Sequence, residues 1–165
     1  MDIFLDAVGI VLGKKFKGTA HLQKVVGATI FGPFHWGRII FQNDSVASFF
    51  CLKAGRDSKK YFRRSLTFCD QKNSEIIRFD NPKLKISKRK ADALLWIVEG
   101  KDHDKDFRIE LETYAKKQFA MKGGGSQVYI EYAVLPKELS LKTKDRVITL
   151  DDLGRGVGTF EDAYW

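Results

Sequence analysis

The side chains of this 165-residue sequence best placed for chemistry lie near its two ends. They are His35 in Phe34-His35-Trp36-Gly37-Arg38 and Glu161 in Gly154-Arg155-Gly156-Val157-Gly158-Thr159-Phe160-Glu161. An imidazole titrates near neutrality, so His35 fits a polar ligand contact or a proton carrier. With no acid beside it in sequence, it also fits a hydrogen-bonded structural histidine. Glu161 shares its strand face with Thr159 and Ala163, small neighbours that leave room for a ligand. Glu131 is a second carboxylate of interest, since alternation sets Tyr129, Glu131 and Ala133 on one face. Facing a lumen, Glu131 would be an acid or ligand anchor with a raised pKa beside Tyr129; facing water, it would pair with a lysine of the next strand. Phe34, Trp36 and Phe50 can line an apolar pocket, Arg38 adds a charge beside them, and glycine lets backbones approach closely. Trp36 also fits a plug at the closed end of a small barrel.

Other chemistries lack their marks. There is no His-x-His, Cys-x-x-Cys, Gly-x-Ser-x-Gly or dinucleotide-binding fingerprint, so neither a metal nor a cofactor is expected. Gly123-Gly124-Gly125-Ser126 lacks the Lys-Ser/Thr of a phosphate loop and reads as a hairpin tip, and Asp102-His103-Asp104-Lys105-Asp106 reads as a polar turn. Cys51 and Cys69 lie in apolar runs and read as reduced core thiols. Arg56, Lys59, Lys60, Arg63 and Arg64 interleave with Tyr61 and Phe62. That arrangement fits single-stranded nucleic acid or another anionic surface, and equally a charged hairpin rim that deters aggregation.

The elements that must position these residues read as strands. The chain is 44% hydrophobic and 13% aromatic with a formal charge of +8, which describes a folded domain that favours anionic partners. Its length predicts one domain over 1–165, and no apolar run reaches the ~20 residues of a membrane helix. Asp2 and Asp6 stand where a secretory signal would be basic, giving the expectation of a cytoplasmic protein. Short runs rich in Val, Ile, Phe, Tyr and Thr predict strands at Phe4–Leu12, Lys17–Phe31, Arg38–Lys53, Tyr61–Asp70, Ser74–Asp80, Lys83–Ser87, Leu94–Gly100, Phe107–Lys117, Val128–Leu135, Val147–Leu150 and Val157–Trp165. Turn residues separate most of them, at 42–45, 54–57, 70–73, 80–82, 100–104 and 123–126. Residues 107–117 contain good helix formers, but strict alternation favours a strand paired with Val128–Leu135. The expectation is an all-β antiparallel meander, closed as a barrel or a flattened sandwich.

An aromatic strand carrying Trp36-Gly37-Arg38, then paired strands, then the terminal Gly156-x-Gly158-x-x-Glu161, resembles the second barrel of the lipocalin-like carotenoid 1,2-hydratase group, itself similar to tocopherol cyclases. That group carries His two positions before Trp and Asn between; here Phe34 and His35 stand in those places. It also has a Tyr-x-Asp on a nearby strand, where this chain has Phe49-Phe50-Cys51. The resemblance implies the barrel fold and an apolar or amphipathic small-molecule ligand, isoprenoid or lipid-like. Family members pair two barrels in one chain, so a homodimer is the corresponding expectation. Three functions follow in order: a binding module using Phe34, His35, Trp36, Arg38, Phe50, Tyr129, Glu131 and Glu161; a hydratase or cyclase acting on an isoprenoid; and a nucleic-acid or anionic-surface binder.

Overall fold

The computed structural model of the chain describes residues 2–23, 32–55, 58, 60–80, 82–90, 92–121 and 127–164. They fall into two compact units, Met1–Ile30 and Phe31–Trp165. The first is a hairpin of β1 (Asp2–Val11) and β2 (Lys14–Gln23). Its two-residue turn has Leu12 at φ 49° and Gly13 at φ 77°, the positive pair that matches the twist of a tight hairpin.

The second unit is one curled antiparallel sheet. Its strands are β3 (Phe34–Phe41), β4 (Val46–Lys53), β5 (Tyr61–Asp70), β6 (Glu75–Phe79), β7 (Lys83–Lys90), β8 (Leu94–Asp102), β9 (Lys105–Met121), β10 (Gln127–Lys142), β11 (Val147–Thr149) and β12 (Gly156–Tyr164). They run β6-β5-β4-β3-β12-β10-β9-β8-β7, with β11 paired to β10, so the all-β antiparallel meander is present as a half-barrel. The C-terminal strand closes the middle by entering between β3 and β10. Among the described residues no ladder joins the end strands β6 and β7. At one end that seam is tied by the Asp102 carboxylate, which accepts from the Asp80 N–H, and by Lys105, which donates to the Arg78 carbonyl.

Several boundaries differ from expectation for physical reasons. The single run Arg38–Lys53 is broken into β3 and β4 at its own Gln42–Ser45 turn, where Asp44 takes φ 65° and the Asn43 side chain accepts from the Ser45 N–H at 3.0 Å. β10 runs on past Leu135 because a bulge between Pro136 and Glu138 absorbs the missing proline donor. Residues 107–117 lie in β9, paired with β10, and not in a helix. Leu150, expected as the last residue of a strand, instead opens a single helical turn, Leu150–Leu153, held by the Thr149 N–H donating to Asp152 Oδ2 at 2.8 Å. The expected strand Lys17–Phe31 agrees with β2 as far as Gln23, and 24–31 lie outside the described residues, as do 123–126.

Alternation sends Ile39, Phe41, Phe49, Leu66, Phe68, Phe107, Ile109, Leu111 and Phe160 to the concave face, where they form the core. Two glycines permit the curl. The Phe49 ring sits over Gly37, where any Cβ would overlap it, and Leu66 Cδ2 would lie 2.7 Å from a Cβ at Gly100. Gly158 lets β12 approach the Arg38 carbonyl of β3 more closely than a side chain permits. Gly37→Ala therefore displaces a fully buried ring and should destabilise the fold by about 1–3 kcal/mol. The check is a lower urea midpoint at an unchanged slope; an unchanged midpoint would show that the ring is not seated over Gly37.

Candidate functional site

Strand register brings a chemical cluster together from four strands of the concave face. His35 of β3 lies directly opposite Asp162 of β12, and opposed residues share a face. His35 Nε2 is 3.0 Å from Asp162 Oδ1, and Lys53 Nζ donates to the same oxygen at 2.8 Å. His35 Nδ1 is 3.1 Å from the Tyr61 hydroxyl. A bulge at Leu52/Lys53 makes this last contact possible: it pairs Lys53 with Tyr61, turning Tyr61 inward and leaving Phe62 65% exposed.

Aromatic rings support the cluster. Phe160 stacks on Trp96 with centroids 4.2 Å apart, and the His35 ring meets Trp96 and Phe160 at 5.9 and 5.4 Å. Tyr132 packs edge-on to Trp96 at 5.2 Å. Beside them opens a cavity of about 750 Å³. Its apolar wall is Leu84, Ile86, Trp96, Ile130, Tyr132 and Tyr164; its polar wall includes His35, Lys53, Tyr61, Lys85, Lys88 and Asp162.

Burial sets the protonation states. It pushes the His35 pKa down against the pull of Asp162, and the charges of Lys53 and Lys88 add to the lowering. Burial alone would raise Asp162, but hydrogen bonds from His35 and Lys53, with the charge of Lys53, hold it below the usual carboxylate range. The consistent arrangement is a neutral imidazole whose Nε2–H donates to Asp162 and whose Nδ1 accepts the Tyr61 O–H. Both ring nitrogens are then engaged, and Lys53 is the cation that neutralises Asp162. Burial, with the neighbouring Cys51 and Asp162, holds the Tyr61 hydroxyl above its ordinary range, so it is a neutral donor. Burial also pushes the Cys51 thiol up to about 12, leaving it protonated and unreactive.

Of the residues chosen in the sequence for ligand binding, His35 alone lines this cavity. Phe34, Trp36, Arg38, Phe50, Tyr129, Glu131 and Glu161 gather on the opposite face of β3, β4, β10 and β12. There the Phe34 ring lies 5.8 Å from Phe50 and 6.5 Å from Tyr129. Tyr129 donates to Glu131 Oε1 at 3.1 Å, and Glu131 is paired across the ladder with Glu161. Burial, with the charge of Glu131, raises the Glu161 pKa against a hydrogen bond from Tyr129. Arg56 and Lys59 of the basic cluster lie outside the described residues; Lys60 and Arg63 are exposed and Arg64 is half-buried. Asp102 is buried at the β8–β9 turn, and no group of potential metal ligands occurs among the described residues.

Sequence reasoning missed Asp162, Lys53, Tyr61, Trp96 and Tyr132. Counting by twos from buried neighbours would have found two of them: Phe160 leads to Asp162, and Phe49 through Cys51 leads to Lys53. The inward turn of Tyr61 depends on a bulge with no local signature. No protein-family model, curated protein or solved structure matches the chain.

A histidine held neutral by burial makes stability depend on pH. Below the unfolded-state pKa of ~6.5 the unfolded chain takes up a proton that the folded chain refuses, so stability falls on acidification until the lowered folded pKa is passed. His35→Gln should flatten the fall in chemical stability between about pH 7.5 and 5.5, by at most ~1.4 kcal/mol per pH unit for one proton. Urea midpoints across that range provide the check, and parallel profiles for the two proteins would refute the neutral, buried imidazole.

Proposed function

We propose that the half-barrel binds an amphipathic small molecule in the cavity beside His35 and Trp96. The observation that carries this reading is the pairing of a roomy apolar wall with a compact polar cluster on one concave surface. Its volume of about 750 Å³ lies within the ~300–1,000 Å³ typical of ligand pockets. The ligand's apolar body lies against Ile86, Trp96, Ile130 and Tyr132, and its polar end against Tyr61 and Lys53. The His35–Asp162–Lys53 network acts as a rigid support: it fixes donors in place without presenting a lone pair of the imidazole to the ligand. The resemblance to the lipocalin-like hydratase group agrees with this habit, and a lipocalin-like ligand carrier is the role we assign.

Native mass spectrometry of the purified protein, with organic extraction of what co-purifies, should reveal an apolar adduct of one molecule per chain that is lost on denaturation. Ile130→Trp fills the cavity from a half-buried position and should weaken rebinding of the extracted compound about tenfold or more, equivalent to ~1.4 kcal/mol. If no added or co-purifying amphiphile binds, or if binding is indifferent to Ile130→Trp, the cavity is not the ligand site.

A further inference from the structure

Resting on the reading of the cavity as a ligand site, we propose that its ligand is an anionic amphiphile. The negative head lies between Lys53 and Lys88, and the apolar tail lies along Ile86 and Ile130.

The cavity wall is unbalanced in charge. It holds three lysines, Lys53, Lys85 and Lys88, against one carboxylate, Asp162. Asp162 is already occupied by both His35 and Lys53, so it offers little to a cationic ligand. Lys85 is answered from outside the cavity by Glu99 at 3.1 Å. Lys88 makes no ion pair among the described residues; its Nζ lies 5.9 Å from the centre of the Trp96 ring. The charges of Lys53 and Lys88 both reach the imidazole of His35, where Asp162 opposes them.

Hydrogen-bonding capacity is unbalanced in the same sense. Lys53 Nζ carries three donors and commits one to Asp162. An oxygen-rich anionic head is the chemistry that would take up the two that remain. The cations are lysines, compact point charges without the planar fork of arginine, so they select a head by charge more than by shape. A carboxylate and a phosphate monoester both meet that requirement. The formal charge of +8 on the whole chain favours approach of such a ligand.

Isothermal titration calorimetry with decanoate and decyltrimethylammonium below their micellar concentrations, and decanol below its solubility limit, separates charge from apolar fit. Decanoate should bind at least about tenfold more tightly than decanol, and the ammonium compound weakest. Lys88 is exposed, so its replacement spares the core. Lys88→Gln and then Lys88→Glu should lower the decanoate-to-decanol affinity ratio stepwise, by about fivefold or more for Glu. Decanol or the ammonium compound binding as tightly as decanoate, or a ratio indifferent to Lys88→Glu, would overturn the anionic assignment while leaving a ligand cavity in place. Failure of all three probes to bind would overturn the cavity reading and the charge assignment with it.

Discussion

A carboxylate carried into the concave face of a β-sheet has to be answered there, because removing a charge from water costs several kcal/mol unless opposite charge and hydrogen bonds replace the solvent. Asp162 is that carboxylate, and the arrangement around it follows from the requirement. Lys53 supplies the opposite charge from β4, and His35 supplies a second donor from β3. Both partners depend on register. A slip of one residue in β12 would carry Asp162 to the far face and bring Glu161 inward, where neither Lys53 nor His35 could meet it in the same geometry. The ion pair thus specifies how three strands align as much as it stabilises them.

The same surface divides into a packed region and an open one. Where Phe49 covers Gly37 and Leu66 fills the space over Gly100, the two sides of the curled sheet touch through large side chains with no room to spare. Beyond Phe160 the rings change character. Trp96 and Tyr132 present edges and faces to a space they do not fill, and the polar cluster stands against them. Phe160 belongs to both regions, touching Phe49 on one side and Trp96 on the other. It transmits the rigidity of the core to the cavity wall, so the donors around the cavity are held by packing as well as by their own bonds.

The strand pattern was readable because period-two alternation is strong in β5, β8 and β9, and each turn carries its own residue chemistry. Tyr61–Asp70 was placed at its observed limits, and the pairing of β9 with β10 followed from two alternating runs around a glycine-rich tip. The site was readable only in part. His35 was singled out, but its acid lies 127 positions later in the chain and is brought opposite it by the ladder between β3 and β12. The aromatic and acidic residues chosen with it, from Phe34 to Glu161, do assemble, on the other face of the same strands. Alternation names which residues share a face; it does not name which face becomes the lumen, because here both faces carry aromatics. Bulges add a second blind spot: Tyr61 turns inward through one extra residue of β5, a shift set by the partner strand.

The unjoined seam between β6 and β7 has a mechanical consequence. In a closed barrel, strand number and stagger fix the diameter, and widening it breaks ladder bonds. In this sheet the curvature can relax without losing any pairing among the described strands, since no ladder joins the two ends of the order. Asp102 and Lys105 clamp the seam near the β8–β9 turn, so the compliance is greatest toward Lys88 and Lys90, at the other end of β7. This sheet resembles a spring clip hinged at one end. A change in that curvature would fall on the twist of the sheet, spread over nine strands.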